Sequence, residues 1–195
     1  MKTILLTISL AIISVPVRAQ ILPDQRVNHP SIVENGKISG GVLRGENLYH
    51  TFEKFNIRVN EEIYFRNPDR VTNIFSLITG SDPSKIEGTL GVEGSANLML
   101  INPNGILFTP TASLDLQGAF TATTASEVIL EDDSRWNATN PNRPSLTIST
   151  PIGLGFYNQG GEITVKGVGQ QAGVINPGLD EIAISAPTEE TNNTE

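Results

Sequence analysis

Ile86-Glu87-Gly88-Thr89-Leu90-Gly91-Val92-Glu93-Gly94-Ser95-Ala96-Asn97-Leu98-Met99-Leu100-Ile101-Asn102-Pro103-Asn104-Gly105-Ile106-Leu107-Phe108 is the stretch whose reading decides the fold. Gly88, Gly91 and Gly94 recur at a three-residue step, and the apolar runs 98–101 and 106–108 are too short for helices. Between those runs stands Asn102-Pro103-Asn104-Gly105, the densest turn signal in the chain. Pro103 presets φ for the first central position of a turn, Asn104 can follow it, and Gly105 accepts positive φ. The Asn102 side chain can bond the backbone two residues on and hold the bend shut. The local reading is strand, tight corner, strand.

The same grammar repeats outward in both directions. Glu62-Ile63-Tyr64-Phe65 runs into Asn67-Pro68, and Asn73-Ile74-Phe75-Ser76-Leu77-Ile78 runs into Gly80 and Asp82-Pro83. Ser113-Leu114-Asp115-Leu116 precedes Gly118, Leu146-Thr147-Ile148-Ser149 precedes Pro151, and Glu162-Ile163-Thr164-Val165-Lys166 precedes Gly167. Asn35-Gly36 reads as a two-residue hairpin turn. Short strands punctuated this often predict an all-β protein. Brief strands joined by bends suit a solenoid, in which each strand stacks in parallel on the one a coil earlier. A sandwich is the other arrangement open to the pattern, since no fixed repeat length emerges. Thr121-Ala122-Thr123-Thr124-Ala125-Ser126 is small enough for a corner or a narrow interior.

The ends read differently. Lys2, the apolar run 4–13, Pro16 and Val17-Arg18-Ala19 predict a cleavable signal peptide over residues 1–19, cut before Gln20. Its apolar run is about a dozen residues, too short to span a bilayer, and no stop-transfer stretch follows, so no stable membrane insertion is expected. Residues 20–170 form the expected single domain, and 171–195 a coil end with an acidic tail, disordered from Pro187 onward. Cysteine is absent, which excludes disulfides and cysteine–zinc sites. The formal charge is −8, and loss of Lys2 and Arg18 makes the mature chain more acidic still. That balance argues against nucleic acid or an anionic membrane as partner.

Catalytic chemistry finds no footing. His29 and His50 are the two histidines, and His50 sits among Leu48, Tyr49 and Phe52, which reads as a packed, hydrogen-bonded core position. Asp132-Asp133 and Asp180-Glu181 read as solvated loop charges, because calcium loops carry several alternating oxygen ligands. Gly88-x-x-Gly91-x-x-Gly94 is not a phosphate loop, since no Lys-Ser/Thr follows. No catalytic residue, metal ligand or cofactor is therefore expected. Residues 131–144 read as a polar surface loop clamped by a half-buried Trp136, with a sugar-stacking platform as the alternative. Asn137 and Asn192 match the glycosylation triplet.

The blocks also carry a resemblance. Ser39-Gly40-Gly41-Val42-Leu43-Arg44-Gly45-Glu46-Asn47-Leu48-Tyr49-His50-Thr51-Phe52-Glu53-Lys54-Phe55 resembles the opening block of the filamentous haemagglutinin-type two-partner secretion N-terminal domain (the haemagglutination activity domain). Asn67-Pro68, Asn73-Ile74 and Ile78-Thr79-Gly80 continue it. The stretch from Ile86 through Asn102-Pro103-Asn104-Gly105-Ile106 is similar to the family's most distinctive region. Ala112-x-Leu114-Asp115, Gly118-x-Phe120-x-Ala122-Thr123-Thr124, Pro151-Ile152-Gly153-Leu154-Gly155-Phe156 and Gly161-x-Ile163-x-Val165-x-Gly167 follow in order, the last two looking like further coils.

The resemblance implies an all-β, right-handed parallel β-helix with an N-terminal cap of extra short strands. It implies a secretion signal rather than an enzyme: passage through the inner membrane by the general secretory route, then recognition by an outer-membrane barrel transporter with periplasmic docking domains, and release to the cell surface or medium. Carried over residue by residue, the secretion motif is Asn102, Pro103, Asn104, Gly105 and Ile106, with Asn47, Leu48, Tyr49 and His50 as a second partner-binding block. Leu77 departs from the family, standing where relatives commonly carry Arg. Members usually continue into a long passenger, so residues after about Ala172 are expected to fold over the coil end or leave it sticky. A polysaccharide-active β-helix enzyme would need clustered acids or a base beside calcium ligands, which the sequence lacks. An adhesin acting without a transporter, with a host or surface glycan as its target, is the third reading.

Overall fold

A strand of three to six residues cannot satisfy its own backbone, so the architecture follows from what each short strand pairs with. The computed structural model describes residues 21–142, 151–157 and 160–167, with the backbone of 181–184. Its strands in chain order are β1 (Ile21–Pro23), β2 (Ser31–Glu34), β3 (Lys37–Gly40), β4 (Val42–Arg44), β5 (Asn47–Phe55), β6 (Glu62–Arg66), β7 (Asn73–Ile78), β8 (Ser84–Ile86) and β9 (Thr89–Glu93). They continue as β10 (Asn97–Ile101), β11 (Ile106–Phe108), β12 (Ser113–Asp115), β13 (Phe120–Thr123), β14 (Glu127–Leu130), β15 (Arg135–Asn137), β16 (Pro151–Gly155), β17 (Ile163–Lys166) and β18 (Glu181–Ile184). No helix occurs among the described residues.

Three parallel walls make a solenoid. The first wall stacks β5, β7, β10 and β13, the second β3, β6, β9 and β12, and the third β8, β11 and β17. The chain visits the first, third and second walls in turn, so β7–β9 and β10–β12 are two complete coils. Register sets the coil length: Asn47 pairs with Asn73 and Asn73 with Asn97, while Ile106 pairs with Ser84. The expected parallel β-helix is therefore the fold, and the sandwich is not.

Two hydrophobic cores explain why the first wall is apolar without alternation. Facing inward, Leu48, Ile74 and Leu98 stack in one column, with Phe52, Phe55 and Phe65 filling the centre. The rings of Phe55 and Phe65 stack at 6.0 Å, and Phe52 meets Phe55 edge-on at 5.1 Å. Facing outward, Tyr49, Phe75, Leu77 and Ile101 are covered by Val128, Leu130 and Trp136 of a separate antiparallel sheet, β15–β14–β16. A sheet buried on both faces reads as a continuous apolar run. Each large side chain so buried contributes roughly 1.5–3 kcal/mol.

That antiparallel sheet corrects two expectations. Pro151–Gly155 is not a further coil: β16 pairs antiparallel with β14, outside the solenoid. Nor is 131–144 only a loop, because β15 lies within it, and Trp136 is fully buried rather than half-buried. The indole ring packs edge-on against Tyr49 at 5.1 Å and its N–H donates to Pro141 O at 3.2 Å. A sugar cannot stack on it.

Antiparallel strands close the N-terminal end. β1 and β4 pair with β5, and the hairpin β2–β3 turns through Asn35-Gly36 as expected. Asp24, fully buried, fastens β1: burial works to raise its pKa, but hydrogen bonds from Arg26 and Thr79 outweigh it and hold the carboxyl below its usual value. At the other end β18 pairs antiparallel with β17. Leu114 on β12, whose outer edge carries no strand among the described residues, is 45 % exposed. The predicted signal peptide, the strand expected over 146–149, the tail from 187, Asp180 and Asn192 lie outside the described residues.

A column of amides runs along one corner. Asn97 Nδ2 donates to Asn73 Oδ1 and Asn73 Nδ2 to Asn47 Oδ1, both at 3.0 Å, while the Ala119 amide donates to Asn97 Oδ1 at 2.9 Å. Asn73→Ala removes a donor and an acceptor from the middle of this ladder. We expect it to cost about 1 kcal/mol in urea unfolding, the net worth of hydrogen bonds whose partly exposed partners water can take over.

Candidate functional site

The corner at 102–106 is built by stacking. Asn102, at the end of β10, is fully buried and turns its side chain along the coil axis. Its Nδ2 donates to Ser84 Oγ at 3.0 Å and to Asp82 O at 3.1 Å on the coil below. Its Oδ1 accepts from the Asn104 amide at 2.9 Å and from Asn104 Nδ2 at 3.1 Å, closing the predicted bend. Gly105 N donates to Asn102 O at 3.1 Å, completing a turn around Pro103 and Asn104. Asn104 Nδ2 also reaches Gly80 O at 2.8 Å. The two amides thus tie the corner down onto the preceding one.

Towards the coil above, the corner is joined by backbone hydrogen bonds. Gly161 N donates to Pro103 O at 2.8 Å, and Ile106 N donates to Glu162 O at 2.9 Å. The fit is tight: at φ of 111°, a β-carbon on Gly105 would lie 2.8 Å from Glu162 O, and one on Gly161 would overlap the Asn104 carbonyl carbon. Pro103 and Asn104 are half-buried, whereas Gly105 and Ile106 are buried. The structure therefore brings all five motif residues into one corner, with no titratable group among them. Its chemistry is hydrogen bonding.

Asn47, Leu48, Tyr49 and His50 form the start of β5 and scatter to different environments. Asn47 heads the amide ladder, Leu48 enters the first core, and Tyr49 enters the second, stacked on Phe75 at 5.1 Å. Burial pushes the Tyr49 phenol well above its ordinary pKa. Asn47 also borders a cleft of about 320 Å³ between the first wall and the antiparallel sheet, lined by Phe75, Met99, Val128 and Leu154. The four residues do not meet the 102–106 corner as one patch.

His50 is a packed core histidine, as the sequence suggests. It is fully buried, 2.9 Å from Ser31 Oγ through Nδ1, with the Phe65 ring 5.2 Å away. Neither His50 Nε2 nor Ser76 Oγ, paired with it in register, finds a protein hydrogen-bond partner. Burial pushes its pKa from 6.5 down to about 3.

Sequence reasoning missed the ladder and the clip that holds the antiparallel sheet together. In the clip, buried Glu127 pairs with Arg135 and accepts from Tyr157 Oη at 2.6 Å, and Arg135 Nη1 donates to Tyr157 Oη at 2.7 Å. The column Asn47, Asn73, Asn97 becomes visible in sequence only after the turns on either side are aligned. No group of three or more His, Cys, Asp or Glu able to hold a metal occurs among the described residues, and these residues contain no helix long and apolar enough to cross a membrane.

Comparison with known proteins bears on the whole chain. The TPS secretion domain family matches residues 19–194. A heme/hemopexin-binding protein of Haemophilus influenzae is 33% identical over 81 residues, covering 42% of this chain and 9% of that protein. A second heme/hemopexin-binding protein of Haemophilus influenzae is 27% identical over 88 residues, covering 45% and 9%. The chain thus matches about 9% of the length of these curated relatives. No solved structure gives a significant match.

His50 supplies a pH test. The unfolded chain takes up its proton near pH 6.5, the folded chain only near pH 3, so between those values the unfolded state binds more protons. The contribution of His50 to stability is intact above pH 6.5 and is lost as pH falls towards 3. We expect about 2 kcal/mol less stability at pH 5 than at pH 7.5, read by urea unfolding, and a flatter profile in His50→Leu.

Proposed function

Because the chain belongs to the TPS secretion domain family, we propose that it is a two-partner-secreted exoprotein module, carried to the cell surface or medium by an outer-membrane barrel transporter whose periplasmic domains recognise it before it has folded. The predicted signal peptide takes it across the inner membrane by the general secretory route. Recognition then falls on residues 102–106, with the 47–50 block in second place.

The observation that supports this order of events is the burial of the motif. Asn102 is 0 % exposed, and both edges of its corner are occupied by neighbouring coils. A partner meeting the finished solenoid would find little of the motif. An incompletely stacked chain presents the same residues as an unpaired strand edge, which a partner sheet can extend by β-augmentation. Residues 47–50 are less suited, since Leu48, Tyr49 and His50 are all core residues whose loss damages the fold itself.

The binding named for the Haemophilus proteins is theirs, and a match to 9% of their length assigns it to no residue here. Adhesion to a surface glycan would fall to other residues than the buried Trp136. Deleting the transporter, or replacing Asn102 and Asn104 together by Ala, is expected to trap the mature chain in the periplasm, measured by fractionation and immunoblotting. Normal release from both strains overturns the proposal.

A further inference from the structure

The two edges of the export corner are closed by segments at very different distances along the chain. Towards the preceding coil, Ser84 N donates to Gly105 O at 3.0 Å, and the pairing of Ile106 with Ser84 spans 22 residues. Towards the following coil, Ile106 pairs with Ile163, 57 residues on, because β14, β15 and β16 leave the solenoid before β17 returns to it. In the first wall, by contrast, β13 stacks on β10 with Leu98 and Phe120 only 22 residues apart. Loop closure over the longer span is the less favourable step, and contacts of greater separation form later. Coils up to β13 can therefore stack while the upper edge of 103–108 is still bare.

That bare edge has a defined chemistry. Pro103 O is an acceptor and Ile106 N a donor, followed by the outward edge of β11, and in the folded chain they are taken by Gly161 N, Glu162 O and β17. The occupant is an extended strand offering one N–H and one C=O at that spacing, running on in parallel with β11. Gly161 admits no side chain there, so the fit depends on the bare backbone.

We propose that residues 160–165 are a self-closing latch: they and a strand of the transporter's periplasmic domains compete for the same backbone edge at 103–108, so that docking of β17 releases the partner. This rests on the export reading above and adds how recognition ends. It requires that the partner bind the open edge and be excluded from the closed one. The latch is a chain-encoded competitor whose return is delayed by the antiparallel sheet inserted before it.

The test compares three forms of the mature full chain for binding to the purified periplasmic domains of the barrel that exports it. These are the folded wild type, the wild type diluted from urea immediately before mixing, and folded Gly161→Val. Trp136 fluorescence, which reports the antiparallel sheet, establishes that the variant is otherwise folded. Folded wild type should bind about tenfold more weakly than the freshly diluted chain, and Gly161→Val should recover that loss. If the diluted chain binds but Gly161→Val matches folded wild type, the latch is overturned and the export reading stands. If the diluted chain does not bind either, both fall. A measurement on wild type alone guards against a damaged variant: the Ile106 amide should exchange its hydrogen about tenfold faster than the Leu100 amide. Equal protection of the two overturns the latch.

Discussion

In-register stacking is the constraint on which everything else in this molecule depends. A short strand has no internal means of pairing its backbone, so the wall strands inside the stack, such as β7, β9, β10 and β11, take their partners from the coil before and the coil after. Identical register along each wall then forces side chains into columns, and each column needs a chemistry it can share with itself. Leu48, Ile74 and Leu98 share burial, while Asn47, Asn73 and Asn97 share amide hydrogen bonds. Where a column mixes chemistries, as with His50 and Ser76, buried polar atoms are left unpaired. Such atoms cost stability because each loses water without gaining a partner.

The same constraint makes the ends of the solenoid the difficult places. An end coil presents an open row of N–H and C=O groups, and at β5, β3 and β17 the chain covers it with strands that run the other way. β1 and β4 lie antiparallel on β5, β2 lies antiparallel on β3, and β18 lies antiparallel on β17. Reversing direction matters: an antiparallel strand occupies the edge without creating the start of another coil. Asp24, held by Arg26 and Thr79, adds a side-chain fastening to the strand that begins at Ile21.

How much of this could be read in the sequence follows from the range of the interactions involved. Strands 97–101 and 106–108 and the bend between them were legible because turn chemistry is local: Pro103, Asn104 and Gly105 act within four residues. The family blocks settled parallel stacking where pattern alone left a sandwich open. The antiparallel sheet was not legible, because Pro151–Gly155 alternates as a coil strand would, and its partner β14 differs from a wall strand only in what lies across from it. Trp136 was misjudged for a related reason. Its polar neighbours in sequence, Arg135 and Asn137, say nothing of Tyr49, which arrives from 87 residues away to cover the ring. For the candidate site, the identity of the corner was legible but its burial was not, since that depends on Ser84 and Glu162 from two other coils.

Burial of the corner also bears on why a protein destined for export would be built this way. On the proposed export reading the chain passes an outer membrane as an extended polymer, where cross-links that survive unfolding would obstruct it, and the sequence has no cysteine. Its stability comes instead from coil-on-coil contacts that can be added in sequence, each new coil templated by the last. In such a fold the most informative residues for a partner are those whose pairing is completed late, because they stay readable for longest. Asn102 and Asn104 bond backward to Gly80, Asp82 and Ser84, near neighbours in sequence, while Pro103 O and Ile106 N are paired by the distant residues 161 and 162. One corner thus joins a half tied down by near neighbours in sequence to a half completed by distant ones. On the proposed export reading, that division is what would distinguish a recognition signal from an ordinary turn, and it follows from the order in which the chain returns to each wall.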